Sequence, residues 1–183
     1  DQEMLELLKR AGVKVMIVGV ESLIDESLKA FNKRQTHAQV IQSIRNIAAS
    51  GMNVLSTFVL GYDEDTAASA MEMADFVIKN HFIMNLFVLH DLEDDENRGL
   101  LIPKNRRFMT HYAKTDPNNL DFWDYMTGSF VTYFPKRMKP STLQRLIFDI
   151  NERVFSHAFI LRDMFSADLF RSYFGIFFGY AMK

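Results

Sequence analysis

The residues placed to do chemistry begin with Glu21 and Ser22, which come directly after the run Val13 to Val20, Val-Lys-Val-Met-Ile-Val-Gly-Val. That run is β-branched and too short for an ordinary buried helix, with Gly12 before it and Gly19 near its end. This is the composition of a strand buried in a parallel sheet. In open α/β sheets and βα barrels, ligands bind at the carboxyl ends of such strands. A carboxylate there accepts hydrogen bonds from hydroxyls or from an ammonium group. The competing role for Glu21 is a charge at the start of the helix beginning near Ser22. Glu21 as a general base ranks last, because the sequence offers no second acid or base to work with it.

Gly61 ends a second apolar run, Asn53 to Leu60. It either lets a ligand approach the backbone or makes a simple turn. His90 ends a third run, Ile83 to Leu89, where it would face a substrate; packing without a catalytic role is its alternative. His90 to Glu96 reads His-Asp-Leu-Glu-Asp-Asp-Glu. Consecutive spacing does not put these side chains on one face, so a solvated acidic loop is expected rather than a metal site. The chain has no cysteine, so it supplies no disulfide, no thiolate nucleophile, no zinc–thiolate site and no cysteine-ligated iron–sulfur cluster.

The elements that position these residues alternate. Met4, Leu5, Leu7, Leu8 and Ala11 recur at helical spacing, and Gly12 ends the helix. A short helix is expected within Leu23 to Gln35. Thr36 and Gln39 form a capping box ahead of the stripe Val40, Ile41, Ile44, Ile47 and Ala48. Strand Asn53–Leu60 comes next, then the polar loop 62–66, which caps a helix with Ala67, Ala70, Met71, Ala74, Val77 and Ile78 on its buried face. Strand, helix, strand, helix, strand at this spacing predicts parallel βαβ units with right-handed crossovers. Beyond residue 90 the pattern changes. Phe130 to Phe134 reads as a short extended segment, and Ser141 with Gln144 reads as a second capping box. Leu143, Leu146, Ile147, Ile150 and Val154 then form another helical stripe. Residues 148–178 hold 8 of the 17 phenylalanines, a helical tail too apolar to be left in water.

Composition narrows the partners. A net charge of -2 over 183 residues gives no argument for nucleic acid or an anionic membrane surface. No apolar run reaches the ~18 residues of a membrane-spanning helix. The acidic, polar start carries no signal peptide, which favours a cytoplasmic location. The start at Asp1, inside a helical pattern, points to a piece of a longer protein.

The ordered series of residues resembles the radical SAM superfamily. It comprises Leu7-Leu8-x-x-Ala11-Gly12, Ile17-x-Gly19-x-Glu21-Ser22, Leu28-x-x-x-Asn32-Lys33-x-x-Thr36, Gly51-Met52-x-Val54, Phe58-Val59-Leu60-Gly61 and Asp63-Glu64-Asp65-Thr66. The segment Phe134-Pro135-Lys136-x-Met138-x-Pro140-Ser141-x-Leu143-Gln144 is similar to the segment after the barrel in members with a cobalamin-binding domain. The resemblance implies an α/β fold: the C-terminal half of a partial (βα)6 TIM-like barrel over residues 1–90, then a mainly helical region over 91–183. It implies a radical SAM Fe–S oxidoreductase whose S-adenosylmethionine and substrate meet this half. The [4Fe–4S] loop would lie in the absent first half, and cobalamin in an upstream domain. Glu21, Ser22, Gly61, Lys33 and Arg34 are then the expected S-adenosylmethionine contacts, the last two through its carboxylate, with His90 toward the substrate. The fragment alone is expected to be inactive. Its partners would be the first half of the same protein, a small-molecule substrate and, through open sheet edges, further copies of itself. The alternative is a non-catalytic βα binding or scaffold module.

Overall fold

The computed structural model describes residues 1–30, 34–89, 127–166 and 168–181. Helix α1 (Gln2–Arg10) opens on Asp1, whose side chain accepts from the Glu3 amide, and carries Lys9 and Arg10 in its last turn. It ends as a left-handed glycine cap. Gly12, at φ 89°, lets its own amide reach the Lys9 carbonyl and the Val13 amide reach that of Leu8. Closing the helix uses Val13, so strand β1 (Val15–Glu21) starts two residues later than the apolar run and extends one residue past it.

Helix α2 (Asp25–Ala30) is short. Helix α3 (His37–Ala49) starts at the Thr36–Gln39 capping box with both reciprocal bonds in place. Strand β2 (Asn53–Leu60) has the boundaries its pattern predicts. Helix α4 (Ala67–Asn80) starts at Thr66, whose box partner is Ser69. Strand β3 (Ile83–Val88) completes a parallel sheet in the order β1-β2-β3. Three further helices come after it: α5 (Pro140–Val154), α6 (His157–Met164) and α7 (Leu169–Ala181).

One face of the sheet carries the core. Val54, Phe58 and Leu60 alternate inward from β2, and Met84, Leu86 and Val88 from β3. They meet Val40, Ile44 and Ile47 of α3 and Ala70, Met73, Ala74 and Val77 of α4. Helix α5 adds Leu143, Ile147, Ile150 and Val154 and lies against α4 and β3. Strands in sequential order with their helices on one face are half of a barrel, not a doubly wound sheet. The expected α/β half-barrel with a helical C-terminal region is therefore observed. The boundary expected at residues 90 and 91 falls outside the described residues.

One local expectation is overturned. Pro140 starts α5 behind Lys139, which makes no side-chain cap bond. Gln144 does not return to Ser141. Its amide oxygen accepts from the Val131 amide at 3.0 Å, and its nitrogen donates to the Ser129 carbonyl at 3.0 Å. Proline at the first helical position has no N–H to satisfy, which leaves Gln144 free to pin the incoming chain. The apolar tail is also only partly covered: Phe165, Leu169, Tyr173 and Phe177 are exposed.

A candidate site at the carboxyl ends of the strands

The backbone is distorted where β1 ends. Glu21 has φ 63°, a left-handed conformation uncommon for a residue with a long side chain. The pairing of β1 with β2 slips there: Gly19 faces Thr57, and Glu21 faces Phe58. Ser22 N donates to the Val20 carbonyl at 2.8 Å, so Glu21 is the middle residue of a three-residue turn. A bulge of this kind re-aims the side chain it carries. Glu21 is half-buried, whereas Ser22 is buried and its hydroxyl oxygen accepts from the Ile24 amide at 3.1 Å. Ser22 thus holds the turn that leads to α2, and Glu21 carries the bulge at the end of β1.

Beside it, β2 ends in a turn held from two sides. Gly61 sits at φ 115°. The carboxylate of Asp65 accepts from the Gly61 amide at 2.7 Å and the Tyr62 amide at 3.0 Å. The Tyr133 hydroxyl donates to the Gly61 carbonyl. A Cβ on Gly61 would lie 2.1 Å from that hydroxyl, so glycine is required by contact as well as by φ. The close approach at Gly61 is therefore made by Tyr133. Asp65 is 2% exposed. Burial raises its carboxyl to about 6, against the opposing pull of the two amides.

Tyr62 joins the two strand ends. It is buried, and burial first, then the charges of Glu21 and Asp65, push its phenol above the ordinary value. Both carboxylates therefore act on the same phenol. The segment after Tyr133 grips the same loop through Arg137 and Glu64, 2.6 Å apart, and Lys136 and Asp63, 3.9 Å apart.

The structure thus gathers Glu21, Ser22 and Gly61 at one end of the sheet. Arg34 is exposed in the turn before α3. Lys33 and His90 lie outside the described residues. Sequence pattern alone does not single out Tyr62 or Tyr133, and it places Asp65 in a helix cap. The available signal is an aspartate four residues after a glycine, close enough to turn back onto the amides of its own loop. Tyr133 lies 72 residues from Gly61 and has no local signal. Among the described residues no group of three or more His, Asp or Glu could hold a metal ion.

Part of the chain resembles known proteins. Residues 1–77 match the sequence profile of the radical SAM superfamily. The chain is 30% identical over 88 residues to bacteriochlorophyllide d C-12(1)-methyltransferase of Chlorobaculum tepidum, covering 48% of this chain and 19% of that protein. It is 28% identical over 92 residues to the C-8(2)-methyltransferase of the same organism, across 48% of this chain and 20% of that one. It is 30% identical over 76 residues to hopanoid C-2 methylase of Rhodopseudomonas palustris, across 41% of this chain and 14% of the other. The matched stretch spans about a fifth or less of these relatives. Through residues 1–77 the chain is similar to the radical SAM superfamily.

Proposed function

We propose that this chain is the C-terminal part of the catalytic barrel of a radical SAM enzyme that methylates carbon. S-adenosylmethionine and substrate would sit at the carboxyl ends of β1–β3. The single observation that carries this is Glu21: a half-buried carboxylate on a bulge with a left-handed φ at the end of β1, where a barrel holds its ligand. A carboxylate so placed suits ribose hydroxyls or the ammonium group of S-adenosylmethionine. Arg34, with Lys33, would take the carboxylate of the same molecule, and His90 would face the substrate.

The residues of this chain do not fit a [4Fe–4S] cluster, since there is no cysteine to ligate iron. That group, and cobalamin if the protein uses it, belong to parts of the protein outside these residues. The methylation reading draws on the relatives, which are methyltransferases of bacteriochlorophyllide d and a hopanoid methylase. Ile17, 70% exposed on the edge strand β1, supports a covering partner: the first half of the barrel, or a second copy of an isolated fragment. Among the described residues no helix is long and apolar enough to cross a membrane.

Titration of S-adenosylmethionine into the full-length protein and its Glu21→Gln variant tests the reading. Losing a charge-assisted hydrogen bond should weaken binding by about 1.5–3 kcal/mol. Equal affinities would refute ligand contact at Glu21. Anaerobic reconstitution of the 183-residue chain with iron and sulfide should give no cluster absorbance.

A further inference from the structure

The face of the sheet turned away from the helices has its own pattern. Strand residues alternate between faces. With Val54, Phe58, Leu60, Met84, Leu86 and Val88 in the helix-side core, the opposite face carries Leu55, Thr57 and Val59 of β2 and Ile83, Asn85 and Phe87 of β3. Register aligns these residues in rows. Ile17 pairs with Leu55, and Leu55 with Ile83. Gly19 pairs with Thr57, and Thr57 with Asn85. Val59 pairs with Phe87. In a barrel this is the inner face, and a closed core would fill it with bulky branched side chains. The first and third rows do so. The middle row is glycine, threonine and asparagine, which leaves space and presents hydrogen-bonding groups.

Charge narrows what enters that space. The three rows hold no ionisable side chain. Glu21 stands at the strand end, aligned through the bulge with Phe58, one β2 position beyond the middle row. An anionic group on the row would sit under a carboxylate, with no cation in these rows to offset it. A neutral carbonyl or hydroxyl meets a donor and an acceptor in Asn85 and a hydroxyl in Thr57, with aliphatic and aromatic surface above and below. The Thr57 hydroxyl already reaches the Val18 carbonyl, at a long 3.4 Å, so accepting a second bond from a ligand does not strip it of its partner. The Phe87 ring is held beside the row by Gly128, where a Cβ would come within 2.6 Å of it.

We propose that Gly19, Thr57 and Asn85 form a polar row inside the barrel that hydrogen-bonds a neutral carbonyl or hydroxyl of an otherwise apolar substrate. The proposal rests on the barrel reading given above and adds the substrate class. Asn85 and Thr57 are its specificity-determining residues, and Gly19 provides the room.

The test uses the full-length protein and four ring compounds of similar size: cyclohexanol, cyclohexanone, cyclohexanecarboxylate and methylcyclohexane. Saturation-transfer NMR titrations give an affinity for each. The alcohol and the ketone should bind saturably, and the carboxylate about tenfold more weakly. Asn85→Leu and Thr57→Val should each weaken the alcohol and ketone roughly five- to tenfold, the scale of one hydrogen bond, without weakening methylcyclohexane. Asn85→Ser, which replaces the amide with a smaller hydrogen-bonding hydroxyl, should fall between wild type and Asn85→Leu. It remains informative if the leucine variant loses its native circular dichroism. Absence of saturable binding by the alcohol and ketone, equal binding by the carboxylate, or an unchanged preference in Asn85→Leu and Asn85→Ser would overturn the proposal. S-adenosylmethionine affinity, measured on the same samples, separates the two readings: its loss in the wild-type protein counts against the enzyme, and a lost probe preference with that affinity intact counts against the polar row alone.

Discussion

The two ends of the sheet are both closed by the C-terminal region, and by different means. At the carboxyl end the inner closure is buried, the Tyr133 phenol on the Gly61 carbonyl and Asp65 on two amides of the same turn, with the ion pairs of Arg137 and Lys136 outside it. At the amino end it is a network of charges from α6 and α7. Arg162 donates to Nδ1 of His81, Arg171 donates to the His81 carbonyl, and Asp163 accepts from Arg162 Nε at 2.7 Å. Asn53 donates to Asp168 at 2.7 Å and holds that carboxyl below its ordinary value. Bonds to a buried backbone turn fix peptide orientation, whereas ion pairs near the surface mainly fix which elements meet. Only the carboxyl end, where a ligand geometry would have to be defined, adds the first kind to its ion pairs.

The largest effect should come from Gly61→Ala. The added methyl meets the Tyr133 hydroxyl and forces alanine to φ 115°. Overlap and backbone strain together should cost about 3–5 kcal/mol. Urea unfolding measures this, and a loss under about 1 kcal/mol would mean that the carboxyl end yields more than its packing implies.

Asp65 comes next, through pH. Its folded value, about 6, lies above the 3.8 of an ordinary aspartate because burial disfavours the charge. The folded state therefore holds the proton more tightly than the unfolded one. Its contribution is fully present below about pH 4 and is lost as pH rises through about 6, by about 3 kcal/mol at most. Asp65→Asn removes that slope. Unfolding free energies from about pH 4 to 7 for both proteins should show the difference curve falling across this window and level above it. A flat difference would place Asp65 in a wetter site than its 2% exposure implies.

At the amino end, Asp163→Ala removes a carboxylate only 2% exposed and leaves Arg162 and Arg171 without it. The cost should be about 2 kcal/mol, below the full value of a buried pair because Arg162 is partly solvated. It should shrink in salt, whereas the cost of Gly61→Ala should not. Similar salt dependence for the two variants would erase the distinction between the ends.

The same contrast explains what is legible in the sequence. Strand β2 and the box at Thr36 and Gln39 are legible because local periodicity and local hydrogen bonds decide them. Glu21 and Ser22 are legible by position after a strand. The left-handed turn at Glu21 is not, since it comes from a register slip against β2. Gln144 is misleading because its partners at Ser129 and Val131 compete with the local cap. Tyr133 and the arginines of α6 and α7 act over 70 or more residues, where spacing carries no information.

Glu21→Gly makes the smallest change in stability and tests the carboxyl end most directly. A left-handed φ costs a residue with a Cβ about 1–2 kcal/mol, and glycine adopts it freely. Part of that gain is offset, because glycine gives the unfolded chain more freedom. Removing the side chain also lifts a negative charge from the buried phenol of Tyr62. The net result should be a chain stabilised by about 1 kcal/mol, seen as a melting temperature higher by roughly 2–4 °C. If the turn exists to present a carboxylate to a ligand, the more stable variant should bind S-adenosylmethionine at least as weakly as Glu21→Gln. A variant that melts lower would show that the Glu21 side chain stabilises its own turn. A variant that melts higher and binds as well as wild type would leave the left-handed turn without a ligand to explain it. Calorimetric melting and ligand titration on the same full-length sample distinguish these outcomes.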